Sequence, residues 1–390
     1  MVDVHISTAL IISTTRFEQR KDQYMKISIA RAELLDALSV VGKGMSARST
    51  LPILSGILFS ANDRAIQMQA TDLEVSVRHS SPALVEDEGQ VVLPGRLLTE
   101  IVRNLPEAAV TIETEGETAH IRCQNSSFTV KVLPPADFPK FPEVSVEKKI
   151  VLSSETMMSM VKQVSRAVSR DETRATLTGI LLIVEGPTVR MVATDSYRLA
   201  VRELVLETVA GEDMEVVVPG KALEEVSKLL GDVDEVSLGV SENQIVFEFG
   251  ETTFVTRKIE GSFPNYKQLI PKETETNAVV STDEFTQAVK RVSLMALHNT
   301  PLKISINVAD QTLSMSANTQ DIGDASEDLM VKAEGSDVEI AFNHAFLMDG
   351  LNSAPSATLR LEVQSALKPG VLKTVEEEGF LYLLMPVRVG

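Results

Sequence analysis

Between residues 154 and 170, apolar side chains recur at helical spacing: Met157, Val161, Val164 and Val168 fall on one face. Ser153 or Ser154 can cap the first turn, and Glu155 favours the positive end of the helix dipole there. Comparable patterns predict helices over 31–42, 96–105, 221–230, 283–297 and 344–352. Between them the period drops to two, as in Val189-Arg190-Met191-Val192-Ala193 and Gln244-Ile245-Val246-Phe247-Glu248-Phe249, which predicts half-buried strands in adjacent hairpins. Helices and hairpin strands in this order indicate an α+β fold with antiparallel sheets. The glycine signature of a dinucleotide-binding turn is absent.

The pattern repeats. Leu54-Ser55-Gly56-Ile57-Leu58 returns as Leu177-Thr178-Gly179-Ile180-Leu181, and sixteen residues after each glycine stands an aspartate, in Ala70-Thr71-Asp72 and Ala193-Thr194-Asp195. Val91-Val92-Leu93-Pro94-Gly95-Arg96 matches Val216-Val217-Val218-Pro219-Gly220-Lys221, and Asp137-Phe138-Pro139 matches Ser262-Phe263-Pro264. Four landmarks in one order, at offsets of 123 to 125, mark a duplicated unit. A fainter third copy aligns Phe128–Pro134 with Phe380–Pro386 at an offset of 252, with Ile340-Ala341-Phe342-Asn343 in place of the Val-Val-Pro-Gly run. Three domains of two helices each are expected, over 25–146, 147–272 and 277–390, with the polar stretch Pro271–Asn277 as a linker. Residues 1–24 read as a disordered extension, with Met25 as the expected true start. The run Ile6–Ile12 lacks the basic flank and small-residue cleavage site of a secretory signal.

Composition narrows the function classes. A single cysteine, Cys123, excludes an intrachain disulfide and suits a reducing cytoplasm. The five histidines show no metal-ligand spacing, no stretch approaches the length of a membrane span, and no cofactor is called for. The net charge of −18 argues by itself against a nucleic-acid binder. Its distribution changes that picture. Six helix-containing segments (31–48, 95–105, 154–174, 220–230, 282–300, 343–353) hold 13 basic and 11 acidic residues, which leaves 24 basic and 44 acidic outside them. Lys162, Arg166, Arg170 and Arg174 are spaced by four, a basic row with steps of about 6 Å along a helix. Arg96 and Arg103, Lys221 and Lys228, and Lys290 and Arg291 add cations on other helices. A basic surface shared by several helices within an acidic chain would hold phosphates without reading sequence. An acidic exterior would repel DNA from every other side.

Thr50–Leu54, Ala70–Glu74, Ala193–Val201, Phe263-Pro264-Asn265-Tyr266 and the ending Leu384–Arg388 together make the chain resemble the bacterial sliding clamps, the beta subunit of the replicative DNA polymerase III holoenzyme, over residues 25–390. The resemblance implies a head-to-tail homodimeric ring, with helices inside and sheets outside, around a hole wider than duplex DNA. It implies a processivity factor rather than an enzyme, with the polymerase, a clamp loader and other proteins docking through short peptides. The peptide groove it implies comprises Leu177, Thr194, Tyr197, Arg198, Leu199, Pro264, Leu269, Leu367, Leu384, Met385, Pro386 and Arg388. The ring interface it implies sets Phe128 and Val130 against Leu294 and Met295. By the same likeness Arg48 and Arg174 face DNA. Ala175 and Thr176 stand where a clamp of this family carries aromatic residues, so the DNA contacts expected there are basic rather than stacking.

Two other readings compete. Asp72 and Asp195, at equivalent places in two repeats, could form the carboxylate dyad of an aspartyl hydrolase. The residues that follow them, Leu73-Glu74 and Ser196-Tyr197, lack that chemistry's Asp-Thr/Ser-Gly pattern, and an aspartate turn between strands fits better. The second competitor is a three-domain adaptor that never encircles DNA. Gly42-Lys43-Gly44-Met45-Ser46 lacks the glycine spacing of a phosphate loop and reads as a flexible loop after a helix.

Overall fold

The computed structural model describes residues 24–46, 51–208, 211–231, 233–296, 300–320 and 322–388. Arg48 and all but the last residue of the 1–24 extension lie outside them. Six α-helices occur among the described residues: α1 (Arg31–Val41), α2 (Gly95–Asn104), α3 (Ser154–Val164), α4 (Gly220–Leu229), α5 (Thr282–Val292) and α6 (His344–Ser353). They pack in pairs, α1 with α2, α3 with α4 and α5 with α6, two per sequence repeat as expected. Three begin on a capping side chain. Ser153 accepts from the Thr156 N–H, Ser281 from Glu284, and Asn343 from Ala345 and Phe346.

The chain divides into two compact units that cut across the repeats. One is the described part of Met1–Glu147 with Glu235–Arg257; the other is Lys148–Asp234 with the described part of Lys258–Gly390. In the first unit, strands Gly56–Asn62, Ala65–Thr71, Val75–Pro82 and Gly89–Pro94 of the first repeat are continued by Thr252–Arg257, Gln244–Phe249 and Glu235–Val240 of the second. Thr252 pairs with His79 and Thr256 with Val75. The second unit repeats the arrangement. Met214–Pro219, Gly179–Glu185, Thr188–Thr194 and Arg198–Val205 are continued by Phe380–Leu384, Gly370–Thr374 and Thr358–Val363 of the third repeat. Every ladder between these strands is antiparallel.

Gly56–Asn62 and Gly179–Glu185 are buried at six successive positions, so both faces of these strands are covered. In the second unit one face of the sheet meets α3 and α6. The other gathers Leu181, Ile183, Val192, Leu199, Val201, Val217, Val371 and Leu383 under Tyr266. Gly350 permits the close approach of α6, because a Cβ there would lie 2.6 Å from the Tyr382 ring. Among the described residues, Ser126–Lys131 ends a sheet of the first unit and Gly323–Met330 ends one of the second.

Two expectations need correction. Helix α3 stops at Val164, one 3₁₀ turn follows over Ser165–Ala167, and Val168 is extended, so the predicted helix over 154–170 is cut short. Val168 packs against Gly220. Ser169 and Asp171 then bond the backbone N–H groups of Asp171 and Thr173, an alternative to helical hydrogen bonds. Lys162, Arg166, Arg170 and Arg174 therefore do not share one helical face. Gly42–Gly44 is a 3₁₀ turn against strand Ala65–Thr71, where a Cβ on Gly44 would lie 2.6 Å from the Ala70 carbonyl, and not a free loop. Val130 lies on the outer strand Ser126–Lys131, as expected for the ring interface, with its side chain in the first unit's buried core.

Candidate peptide groove

The Ala193–Val201 stretch is a strand, a tight turn and a strand. Thr194 Oγ donates to the Arg198 carbonyl at 2.7 Å and accepts from the Ser196 N–H at 3.2 Å. Asp195 Oδ1 accepts from the N–H groups of Tyr197 (2.9 Å) and Arg198 (3.0 Å), and Ser196 sits at φ 80°. The turn is an Asx-type construction, in which one oxygen of the aspartate serves its own backbone. Asp72 does the same, accepting from Glu74 and Val75. Neither carboxylate is placed as a reacting group. Among the described residues no cluster of three or more His, Cys, Asp and Glu side chains could hold a metal.

A buried polar network backs the turn. Arg198 Nε donates to Asp195 Oδ2 at 3.0 Å, and its Nη1 donates to Asp349 Oδ2 at 2.5 Å and to the Tyr382 hydroxyl at 3.2 Å. Its guanidinium also lies 4.4 Å from the centre of the Phe346 ring, on whose plane Tyr197 stacks at 6.2 Å. Burial opposes the charge on Arg198, but Tyr382, Asp349 and Asp195 outweigh it and its pKa rises. Burial pushes the Tyr382 hydroxyl far above the ordinary phenol range, although Arg198 pulls the other way. Phe346, Asp349 and Tyr382 were missed in the sequence. The available signal was Phe346 and Asp349 at i, i+3 on a predicted helix, the spacing that puts two side chains on one face.

Several of the expected groove positions carry exposed apolar side chains. Tyr197 is 61% exposed, Met385 41%, Leu269 44% and Leu367 68%, and Pro264 is exposed as well. The Met385 N–H donates to the Tyr197 carbonyl at 2.9 Å and that of Val387 to Ala341 at 2.8 Å, so the described part of the ending is docked rather than frayed. The segment holding Pro264 is drawn to the turn at Leu177, where a Cβ on Gly261 would meet Thr176 at 3.0 Å. Leu177, Thr194, Leu199 and Leu384 are buried. Leu199 pairs with Thr194 and Leu383, whereas Arg198 pairs with Leu384. Leu199 and Leu383 therefore share the face under Tyr266, and Leu384 points with Arg198 to the opposite, helix-covered face. Leu384, expected among the groove residues, is thus turned to the helix-covered face, and Leu383, one position earlier, lies on the face of Leu199. Pro386 is half-buried and Arg388 exposed.

The basic residues divide into two sets. Arg103 pairs with Glu100, Lys228 with Glu225, Lys221 with Glu172 at 3.7 Å, and Arg291 in a fork with Glu327. That fork holds the Arg291 charge on and lowers the Glu327 pKa. Arg166 pairs with Asp349, and Arg174 with Asp171. Lys162, Arg170 and Lys290 are exposed with no ion pair among the described residues, and Arg96 is an exposed residue of α2. At the expected ring interface Phe128 and Leu294 are exposed and Met295 is half-buried. Leu294 and Met295 stand on the 3₁₀ turn after α5 rather than in the helix.

Repeated α+β units joined through shared antiparallel sheets define a protein of clamp architecture. The chain belongs to the DNA polymerase III beta subunit family, the beta sliding clamps: its N-terminal, central and C-terminal domain models match residues 25–142, 151–265 and 267–388. The beta sliding clamp of Streptomyces coelicolor is 37% identical over 378 residues, which cover 94% of this chain and all of that protein. That of Bacillus subtilis is 32% identical over 377 residues, 93% of this chain and all of that one. Among solved structures, the DNA polymerase sliding clamp from Bacillus subtilis superposes with a TM-score of 0.89 at 31% identity, covering 94% of this chain and 100% of that one. The DnaN sliding clamp from Pseudomonas aeruginosa bound to griselimycin gives 0.88 at 27% identity, with the same coverage.

Proposed function

We propose that this chain is a DNA sliding clamp: a homodimeric ring that encircles duplex DNA without reading its sequence and tethers the replicative polymerase, a clamp loader and other proteins. The observation that carries this reading is the exposed pair Tyr197 and Met385, joined by a backbone hydrogen bond and set on a turn bonded through Asp195 and Arg198, with Leu269 and Leu367 exposed at other expected groove positions. A rigid apolar shelf with backbone groups nearby suits short extended peptides, and a methionine at its rim adapts to varied side chains. The three repeats correspond to clamp domains over 25–146, 147–272 and 277–390. No catalytic role or cofactor is part of the proposal, and cytoplasmic residence follows from the DNA it serves. No helix among the described residues is long and apolar enough to cross a membrane.

Ring closure pairs the end strand Ser126–Lys131 of one copy with the end strand Gly323–Met330 of the next, head to tail. The charges suit the pairing: Lys131 on one side, Asp324 and Asp328 on the other, while Arg122 and Glu327 are already engaged by Glu113 and Arg291. Phe128 and Leu294 supply exposed apolar contacts beside these edges. Lys162, Arg170 and Lys290 attract the threaded phosphates, with Arg96, Arg103, Lys221 and Lys228 adding to the field and Arg166 and Arg174 reached at closer range. Closure, not tight contact, retains the DNA, so partners gain local concentration without arresting the slide.

Deleting Met385–Gly390 removes the docked rim of the shelf. We expect polymerase stimulation to fall by at least about a hundredfold, the loss typical of a tether's avidity, while the solution mass stays that of a dimer. Undiminished stimulation by a dimeric deletion variant rules out the shelf as the tether.

A further inference from the structure

Two guanidinium groups of the basic row are already engaged with the turn that carries Tyr197. Arg174 Nη1 donates to Ser196 Oγ at 3.0 Å, and its Nη2 donates to the Asp195 carbonyl at 3.1 Å and to Ser169 Oγ at 3.3 Å. Arg166 arrives by a second route. Its Nη1 donates to Asp349 Oδ1 at 3.1 Å, and the other oxygen of that carboxylate holds Arg198. Arg198 in turn grips Asp195 and lies against Phe346, the ring on which Tyr197 stacks. Both arginines remain open to solvent, with side chains 38% and 46% exposed. Lys162 and Arg170, the other members of the row, have no such link among the described residues.

A phosphate is a stronger acceptor for a guanidinium than a hydroxyl or a carbonyl, because the bond is charge-assisted and can be bidentate. Phosphate engaging Arg174 therefore competes with Ser196 and the Asp195 carbonyl. Phosphate engaging Arg166 competes with Asp349, the anchor of Arg198. Either event loosens a turn whose rigidity sets Tyr197, and a docking peptide must then restore that order at a cost in affinity. We infer that Arg166 and Arg174 couple phosphate contact to the peptide groove, so that duplex DNA and a groove peptide each weaken the binding of the other. The inference rests on the reading that this shelf is the peptide groove and this row meets DNA. The coupling is reciprocal by linkage, so a clamp carrying a docked partner holds its DNA more loosely than an empty one.

The test uses the full-length protein, labelled griselimycin, a ligand of the solved Pseudomonas aeruginosa clamp that we propose docks on this shelf, as the groove probe, and a short duplex oligonucleotide at low salt. The probe should bind about threefold to tenfold more weakly when duplex is saturating, and saturating probe should weaken the duplex by the same factor. Arg166→Lys with Arg174→Lys keeps both cations and removes the planar forks. In that variant the probe should bind several-fold more weakly without DNA, and the effect of duplex should shrink toward none. Ser196→Ala, which removes only the hydroxyl acceptor of Arg174, should reduce the coupling in part and serves if the double variant does not fold. Probe affinity unchanged by bound duplex, or coupling undiminished in a folded variant, overturns the inference while the groove stands. A probe that binds in neither state overturns the groove reading, and this inference with it.

Discussion

The turn at Thr71–Ser76 and the turn at Thr194–Leu199 are the same object built twice with different chemistry. In both, a threonine hydroxyl donates to the carbonyl four residues on, at 2.9 Å from Thr71 to Val75 and 2.7 Å from Thr194 to Arg198. In both, an aspartate Oδ1 accepts two backbone N–H groups, and the next residue is left-handed: Leu73 at φ 78°, Ser196 at φ 80°. The positions that follow diverge. Glu74 stands for Tyr197, Val75 for Arg198, and Ser76 for Leu199. Ser76 turns to the Thr71 hydroxyl at 2.8 Å, whereas Leu199 is fully buried beneath Tyr266 beside Leu383. The backbone bonds are what the fold requires; four side chains, Ser196 in place of Leu73 among them, set the second turn apart from the first.

The largest separation between them should appear on truncating the last position. Leu199→Ala leaves a cavity in a closed apolar cluster and should cost about 4 kcal/mol, within the range for buried leucines. Ser76→Ala removes one hydroxyl bond and should cost about 1 kcal/mol. Urea unfolding followed by circular dichroism measures both. Equal costs would mean that the two turns bear equal packing loads and that the contrast drawn here is false.

The aspartates come next. Asp195 is buried and also neutralises Arg198, so Asp195→Asn should destabilise by about 3 kcal/mol, as expected when one member of a buried pair is lost. Among the described residues Asp72 serves only backbone N–H groups in its hydrogen bonds, and an asparagine oxygen can still accept them, so Asp72→Asn should cost under about 1 kcal/mol. The Asp195→Asn variant should also lose stimulation of a processive polymerase, measured by primer extension, while Asp72→Asn keeps it. A loss shared by both would detach that stimulation from the network behind Arg198.

Much of this contrast was readable in the sequence, because the backbone requirement repeats and repeats can be aligned. The Thr-Asp pair, its offset of 123, the six helices and the apolar character of Leu199 were all visible. Two kinds of feature were not. One is strand parity: Leu383 and Leu384 are both apolar, and only the pairing with Leu199 and Arg198 tells which faces the floor. The other is long-range polar pairing. Asp349 lies 151 residues from Arg198, and no local pattern links an acid on one helix to a guanidinium on a distant strand. The end of α3 was hidden for a related reason. Lys162 to Arg174 keeps helical spacing in sequence, but the packing of Val168 on Gly220 ends the helix before the row is complete.

The smallest effect is the most discriminating, because it isolates backbone conformation from side-chain bonds. A left-handed, non-glycine residue costs about 1–2 kcal/mol, and glycine relieves that strain while losing about 0.5–1 kcal/mol of chain entropy. Leu73 is 52% exposed, so Leu73→Gly sacrifices little burial and should stabilise the protein by about 0.5 kcal/mol, the small remainder of those two terms. Ser196→Gly gains the same relief but loses the hydroxyl that accepts from Arg174, so its net change should be near zero. The shift in urea midpoint should therefore be upward for the first turn and absent for the second. A fall on Leu73→Gly would reveal a contact made by that leucine, and a gain on Ser196→Gly equal to that at Leu73 would mean the Arg174 bond contributes nothing to the turn.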